Sequence, residues 1–343
     1  MLDETYLNFQ RKGANLPEEK KEQFRKISTE LAQLTLKFGE NLLKETNKYE
    51  KHITDKKRLS GLPESLLEAA AAKATSKEKE GWIFDITMPV YQPFMKYADN
   101  RELRKELFMA YMSKSFKGDE LDNRENIKKI VNLRLELALL LGYKNYADYV
   151  LERKMAQNTA GVYKLLNDLF EAAGGVAKKE KAEIEAFARE LGFDEEMMPW
   201  DWSYYSEKLK IKKFELDDEK LKPYFELNRV IDGVFGLATS LYGITFKPNK
   251  EIPGYHEEVV PYEVYDEDGK FLAVLYTDFH PRPGKQGGAW MNNFKGQWKE
   301  NGKNSRPHIA IVMNFTRPTE TKPALLTFRE FETFMHEFGH ALH

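Results

Sequence analysis

Cysteine is absent from this 343-residue sequence, and its absence excludes a whole class of chemistry. Without a thiol, the chain can form no disulfide, offers no cysteine nucleophile and cannot bind zinc through thiolates. A cysteine-free chain is compatible with a reducing cytoplasm and also with a bacterial periplasm. Localisation therefore stays open between these two compartments.

Long apolar runs are also absent, and the charges of the two signs nearly balance. No stretch is apolar for long enough to cross a bilayer. The first residues, MLDETYLNFQRKGANLPEEKKEQF, are charged and lack the apolar core of an export signal. The formal net charge is −2, so the bulk charge gives no reason to expect an acidic partner. We therefore expect no nucleic-acid partner and no membrane partner.

Over most of the chain, the spacing of the apolar residues predicts amphipathic helices. Hydrophobic residues make up 41% and charged residues 31% of the chain, which is typical of a globular protein large enough for two lobes. The stretch LPEEKKEQFRKISTELAQLTLKFGENLLKETNKYEKHI carries one apolar stripe at helical spacing, formed by Phe24, Ile27, Leu31, Leu34 and Phe38. Further helices are predicted over 101–116, 124–141 and 161–191, and Gly118 and Gly142 are expected to separate the first of them.

The pattern changes near Pro248, where β-type sequence replaces helix. VVPYEVYDEDGKFLAVLYTDFHPRPGKQGGAWMNNF alternates apolar and polar residues around DEDG, which is typical of a hairpin, and 308–315 is another β-rich run. A separate short strand is predicted over 81–86. These features predict a mainly α fold (α+β) with a small antiparallel or mixed β-sheet, of about three strands, before the last helix. The chain would then comprise a helical region, 1–247, and a region of sheet and last helix, 248–343.

The last helix, in LLTFREFETFMHEFGHALH, has a well-defined predicted start and a predicted buried face. Thr327 and Glu330 have the spacing of a capping box, in which each side chain accepts a hydrogen bond from a free backbone amide. Apolar residues at steps of three and four then predict a core-facing stripe of Phe328, Phe331, Met335, Phe338 and Leu342.

His336, Glu337 and His340 form an H-E-x-x-H pentapeptide in this helix. Two imidazoles one turn apart can bind one Zn²⁺ ion at about 2.0–2.1 Å from each nitrogen. Glu337 lies about 100° around the helix from His336, where it could take a proton from a water activated by the metal. The alternative is a helix that carries two histidines without a metal. His343 lies one turn further on, and we expect it to pack or to contact groups around the metal rather than bind it.

The sequence resembles the thimet-oligopeptidase group of zinc metallopeptidases, the M3 family, and within it the bacterial peptidyl-dipeptidases. The segment ALLTFREFETFMHEFGHALH carries the strongest resemblance, and DFHPRPGKQGGAWMNNF (278–294) contains a Gly-Gly-Ala-Trp-Met block like that of peptidyl-dipeptidases. Three further segments are similar to family segments: LGYKNYADYVLERKMA, WDWSYYSEKLK and LYGITFKPN. The resemblance thus covers nearly the whole chain.

This resemblance implies a zincin-like, mostly helical architecture of the neurolysin and peptidyl-dipeptidase type, incomplete in this chain. It implies one Zn²⁺ per intact site, with His336 and His340 as ligands and Glu337 as the general base. The substrate expected from the resemblance is a short peptide held in a channel between helical lobes. A peptidyl-dipeptidase releases dipeptides from a free C-terminus.

The resemblance also leads us to expect that the chain is an internal fragment of a larger enzyme. Family members are much longer, with the third zinc ligand expected to be a Glu on a later helix. Later Tyr and His residues are expected to stabilise the tetrahedral intermediate. We therefore expect the chain alone to bind zinc weakly or not at all and to be inactive. We also expect its last helix to present an apolar face through which copies could self-associate.

Three other interpretations stay open from the sequence. The parent protein could be an oligoendopeptidase of the same family, or the chain could be a non-catalytic helical interaction module. A different helical zinc carboxypeptidase family with H-E-x-x-H is a third, and the Gly-Gly-Ala-Trp-Met block argues against it. The 308–315 strand could pair with substrate backbone or lie inside the sheet. Gly287 and Gly288 could admit a substrate backbone or form a tight turn.

Overall fold

A computed structural model describes residues 2–343 of the chain. Its helices are α1 (Leu2–Arg11), α2 (Glu18–Lys48), α3 (Glu64–Thr75), α4 (Met88–Tyr97), α5 (Arg101–Met112), α6 (Arg124–Leu140), α7 (Tyr146–Leu151), α8 (Thr159–Glu190), α9 (Trp202–Phe214), α10 (Asp218–Leu221), α11 (Leu227–Tyr242) and α12 (Phe328–Leu342). Its strands are β1 (Lys51–Ile53), β2 (Trp82–Phe84), β3 (Thr245–Pro248), β4 (Val260–Tyr265), β5 (Phe271–Asp278), β6 (Trp290–Lys295), β7 (Trp298–Glu300), β8 (Lys303–Ser305) and β9 (His308–Val312). Across residues 2–343, every helix is too short or too polar to span a membrane.

The helices predicted from apolar periodicity are confirmed. The stripe-bearing stretch near the N-terminus forms α2, and the three segments predicted further on form α5, α6 and α8 with somewhat different ends. Gly142 follows the C-cap of α6 at φ +88°. That left-handed backbone favours glycine because a Cβ would come too close to the residue's own backbone carbonyl, so Gly142 ends the helix as predicted.

The chain divides into two compact units. The first consists of the N-terminal residues up to Lys48 together with Ala110–Met197, and in it α2 packs along α6. A buried amide network joins the two helices, because Asn123 Oδ1 accepts hydrogen bonds from Asn41 Nδ2 at 3.0 Å and from Asn126 Nδ2 at 2.8 Å. The division of the chain into regions 1–247 and 248–343 stays a prediction.

The second unit consists of Tyr49–Met109 and Met198–His343 and contains the larger sheet. The order of strands in that sheet is β3-β4-β5-β9-β6. β5 and β9 run parallel and the other pairs are antiparallel, so the sheet is mixed. The DEDG hairpin is confirmed as the β4–β5 connection. The expectation of about three strands was too low, because β3 and β6 also belong to this sheet.

Both faces of this sheet are covered by apolar residues, which alternate along the strands as the pleat requires. Leu275 and Ile311 face the core formed with α11 and α12, whereas Val274, Ala310 and Val312 face a smaller cluster that includes Trp290. α12 contacts β6 and β9. The sheet therefore fixes the position of the helix that carries the H-E-x-x-H pentapeptide.

The predicted core stripe of α12 is partly wrong. Phe338 is buried as expected, and Phe331 and Met335 pack against the core, but Phe328 and Leu342 are largely exposed. Phe334, which the prediction omitted, is fully buried and meets Phe279 edge-on at 5.2 Å between ring centroids. The buried face is thus centred between the predicted stripe and the next row of side chains. Self-association through the exposed part of α12 stays a prediction.

Candidate metal centre

The start of α12 is fixed by the capping box predicted from the sequence. Thr327 Oγ1 accepts a hydrogen bond from the Glu330 amide at 3.1 Å, and Glu330 Oε2 accepts one from the Thr327 amide at 2.8 Å. The other carboxylate oxygen, Glu330 Oε1, accepts a hydrogen bond from the Thr316 amide at 2.7 Å. Glu330 therefore also ties the helix to the segment that follows β9.

The two histidines of the pentapeptide lie together on the exposed face of α12. His336 Nε2 and His340 Nε2 are 3.1 Å apart. Their rings are nearly perpendicular, with centroids 4.7 Å apart and an interplanar angle of 86°. Because the residues are one helical turn apart, the helix alone brings both nitrogens to one point.

This nitrogen pair fits two corners of a zinc coordination sphere. With N–Zn bonds of about 2.0–2.1 Å, nitrogens 3.1 Å apart would subtend an angle of roughly 95–102° at the ion, near the tetrahedral value of about 109°. Imidazole nitrogen is also a common zinc donor. The donor chemistry and the separation therefore both suit the metal that the sequence led us to expect.

Glu337 lies beside the histidines but on the buried side of the helix. Only 7% of its surface is exposed, and its neighbour Phe338 packs in the core. Its carboxylate thus occupies a more enclosed environment than the two imidazoles, which are exposed. His343 is also exposed and does not pack in the core, at variance with one of the two expectations for it.

A third metal ligand is not found near the histidine pair in the part of the chain that the structure describes. Among residues 2–343, no group of three or more His, Asp or Glu side chains is arranged to hold a metal ion. Zinc centres of catalytic type use three protein ligands and leave one position for water or substrate. In residues 2–343, His336 and His340 could supply two of these three ligands.

Of the strands next to α12, β6 rather than β9 can accept another strand. β9 lies between β5 and β6 and is paired on both sides. The suggestion that 308–315 pairs with substrate is therefore wrong for β9, and its alternative, an internal strand, is confirmed. β6 is the last strand of the sheet and has one unpaired edge, with a register irregularity between Asn293 and Lys295.

A buried ion cluster holds the loop that connects β5 to β6. Asp278 ends β5, is 1% exposed and accepts four hydrogen bonds. Arg282 donates two of them, at 2.7 and 2.8 Å, Lys285 donates one at 2.7 Å, and the Tyr255 hydroxyl donates one at 2.9 Å. Burial alone would raise the pKa of Asp278, but the hydrogen bonds and charges of Arg282 and Lys285 outweigh it and lower that pKa.

The same loop contains the Gly287-Gly288 pair. Gly288 has φ +102°, which a residue with a side chain rarely adopts. A Cβ at either glycine would meet nothing within 4 Å, so open space adjoins both. The positive φ of Gly288 is compatible with a turn and the open space with the approach of a chain, so both interpretations of this glycine pair stay predictions.

The sequence alone predicted no role for the charged residues of the 278–294 block. The spacing between Asp278, Arg282 and Lys285 is four and then three residues. It does not indicate that both cations contact the Asp278 carboxylate unless the path of the loop is known. Asn314 was missed altogether. Its amide donates to the carbonyls of Gln286 at 2.9 Å and Gly288 at 2.7 Å, across 28 and 26 positions of sequence.

Comparison with known proteins finds similarity to peptidases. Residues 94–343 match the sequence profile of Peptidase family M3. Oligopeptidase A of Escherichia coli is 40% identical over 348 aligned positions, which cover 100% of this chain and 51% of that protein. Dipeptidyl carboxypeptidase of Escherichia coli is 35% identical over 333 positions, covering 96% of this chain and 49% of that protein. The chain thus spans about half the length of the curated relatives it matches.

A looser similarity extends to solved structures. The structure of a putative oligoendopeptidase F aligns with 95% of this chain and 42% of that chain, with a TM-score of 0.46 and 15% sequence identity. A score of this size supports no inference about the site.

Proposed function

Because the chain belongs to peptidase family M3, we propose that it supplies the metal-binding helix and part of the peptide-binding surface of a zinc metallopeptidase that hydrolyses short peptides. The observation that carries this proposal is the 3.1 Å approach of His336 Nε2 to His340 Nε2. Glu337 is the next residue after the first of these histidines, in the position that a general base requires.

In this proposal His336 and His340 hold the ion through their Nε2 atoms. A zinc ion bound there would lower the pKa of a water and polarise the carbonyl of the scissile peptide bond. Glu337 accepts the proton of the attacking water and passes it to the leaving amine. Its buried setting supports this role, because a carboxylate fixed among packed side chains keeps its orientation through both proton transfers.

The peptide is proposed to lie along the free edge of β6. An extended peptide added to a sheet edge gains main-chain hydrogen bonds, and these hold its backbone without depending on its sequence. Two observations support the placement: α12 contacts β6, and Met291 of β6 packs in the same core as Phe334 and Phe338 of α12. These contacts make β6 a neighbour of α12, and in this proposal its free edge presents the peptide bond to His336 and His340.

We propose further that the site is completed by a carboxylate ligand from outside residues 2–343, in a longer protein. With two imidazoles alone, much of the coordination sphere is left to water, so the 343-residue chain by itself binds zinc weakly and is inert. The test is to incubate the purified chain with Zn²⁺ and a peptide bearing a free C-terminus and to follow products by mass spectrometry. Chelator-sensitive cleavage by this chain would contradict the proposal of an external ligand.

The mode of cleavage has two candidates. The Gly-Gly-Ala-Trp-Met block supports a peptidyl-dipeptidase that releases C-terminal dipeptides, whereas the 40% identity to Oligopeptidase A favours an oligopeptidase. A longer protein that contains this chain can be assayed on one peptide with a free C-terminal carboxylate and on the same peptide as its C-terminal amide. A peptidyl-dipeptidase should cleave the peptide with the free carboxylate and fail to cleave the amide, whereas an oligopeptidase should cleave both.

A further inference from the structure

The loop between β5 and β6, residues 279–289, is held from beneath by one lysine. Lys285 Nζ donates to Asp278 Oδ1 at 2.7 Å, to the Asp278 carbonyl at 3.1 Å and to the His280 carbonyl at 2.8 Å. These bonds use all three N–H groups of the ammonium. The Lys285 side chain is 3% exposed, so its contacts fix the first half of the loop against the end of β5.

The second half of the same loop is held from the other side by one asparagine. Asn314 Nδ2 donates to the carbonyls of Gln286 and Gly288 at 2.9 and 2.7 Å. Asn314 lies between Met313 and Phe315, whose side chains are buried in the core. Its backbone is therefore anchored, while its exposed amide reaches out to the loop.

These two attachments lead directly to the edge strand and to the metal-binding helix. Gly288 is followed by Ala289, which packs against the main core, and by Trp290, which begins β6 opposite Val312. At the other end of the loop, Phe279 packs edge-on against Phe334, two residues before His336. A displacement of the loop would therefore move the start of β6 relative to α12.

We propose that Lys285 and Asn314 are positioning residues for the peptide: they hold the 279–289 loop so that the free edge of β6 is preformed beside α12. This inference rests on the proposed function, in which a peptide pairs with β6. A preformed edge lowers the ordering cost of binding, because the receiving strand need not be arranged when the peptide arrives. Neither side chain touches the reacting atoms in this proposal.

The test compares variants of the 343-residue chain by hydrogen exchange with and without millimolar peptide bearing a free C-terminus. Asn314→Ala removes both side-chain donors, and Asn314→Asp keeps the shape but sets a carboxylate against two carbonyls. Asn167→Ala, an exposed asparagine on α8, is the matched control. Lys285→Met is the second probe, and where it fails to fold the two Asn314 variants decide.

In the wild-type chain, peptide should slow exchange of the β6 amides that do not donate to β9. In both Asn314 variants, the Lys285 amide, which donates to the Arg282 carbonyl, should exchange at least about tenfold faster, because the loop loses the two hydrogen bonds that Asn314 donates. Peptide should no longer protect β6 in these variants, while Asn167→Ala should match wild type. If Zn²⁺ shifts the NMR resonances of the His336 and His340 side chains in the variants as it does in the wild-type chain, α12 is intact in the variants.

Two results would overturn the inference, and they can be told apart. If both Asn314 variants keep wild-type protection of β6 by peptide, the loop does not position the peptide, and the proposed function stands. If peptide protects no β6 amide even in the wild-type chain, the placement of peptide on β6 fails together with the inference.

Discussion

Replacing Asp278 with Asn should strongly destabilise the unit that contains α12, the helix with His336 and His340. The carboxylate is 1% exposed and accepts four hydrogen bonds, two from Arg282, one from Lys285 and one from Tyr255. An amide would keep a single acceptor oxygen and turn an NH₂ group toward groups that also donate. It would also leave the buried Lys285 and the half-buried Arg282 without their counter-charge, and removing one partner of a buried ion pair costs about 3–5 kcal/mol.

The assay is urea-induced unfolding at neutral pH, combined with hydrogen exchange to report the β5 and β9 amides separately. Asp268→Asn is the matched control in the same sheet. Asp268 pairs with Lys270 at 2.6 Å, but both side chains are more than half exposed, so its loss should change the unfolding free energy by less than about 1 kcal/mol. If Asp278→Asn costs no more than the control, the reasoning about the buried cluster is refuted.

Three further predictions concern activity, helix start and pH. In a longer protein that contains this chain, Glu337→Gln should lower the turnover of peptide by about 10²–10⁴-fold, because it removes the general base. The metal content should stay unchanged. Turnover within several-fold of wild type would remove Glu337 from this role. Glu330→Gln should destabilise α12 by about 1–3 kcal/mol, because one of two backbone amides, Thr316 or Thr327, loses its acceptor; hydrogen exchange of α12 measures it, and exchange at the wild-type rate would contradict it. Because the pKa of Asp278 is lowered in the folded chain, its contribution to stability is complete above its unfolded pKa of about 3.9 and is lost as pH falls through the folded pKa. As the pH falls below about 4, the unfolding free energy should therefore decrease less steeply in Asp278→Asn than in wild type. The same slope in both proteins would count against a lowered pKa of Asp278.

The features that could be predicted from sequence are those set by neighbours along the chain. The capping box of Thr327 and Glu330 and the meeting of His336 with His340 depend on spacings of three and four residues within one helix. The same periodicity located α2, α5, α6 and α8. The DEDG hairpin was predictable because a short turn determines its own register.

The edge strand β6 lies at the end of the stretch predicted to be β-type, but it was not predicted as a strand of its own, because its residues do not alternate regularly. Its later residues, Asn292 to Lys295, are exposed on both sides of the chain, and a register irregularity interrupts the pleat. Polar or irregular edge strands protect a sheet from unwanted pairing. The exposed, irregular edge of β6 makes it a candidate peptide-binding strand. The same irregularity explains why its sequence did not predict a separate strand.

The contacts around the β5–β6 loop could not be predicted because they join distant positions. Asn314 reaches Gly288 across 26 residues, and no local pattern announces that contact. The error in the α12 stripe has a similar origin. Phe334 is buried because Phe279 lies opposite it, and which of two adjacent rows faces the core depends on the partner surface, which the helix sequence alone does not contain.

The central claim, that His336 and His340 form a two-residue metal site within this chain, is tested most directly by zinc titration of the ¹⁵N-labelled chain, monitored at the histidine side-chain nitrogens by NMR. The sequence contains seven histidines, and the four that lie far from α12 in the sequence, His52, His256, His280 and His308, serve as internal controls. We predict that Zn²⁺ shifts the Nε2 resonances of His336 and His340 together, that these four stay unchanged, and that His340→Ala abolishes the shift at His336. Shifts at any of the four controls, or none at the α12 pair at millimolar zinc, would contradict the account.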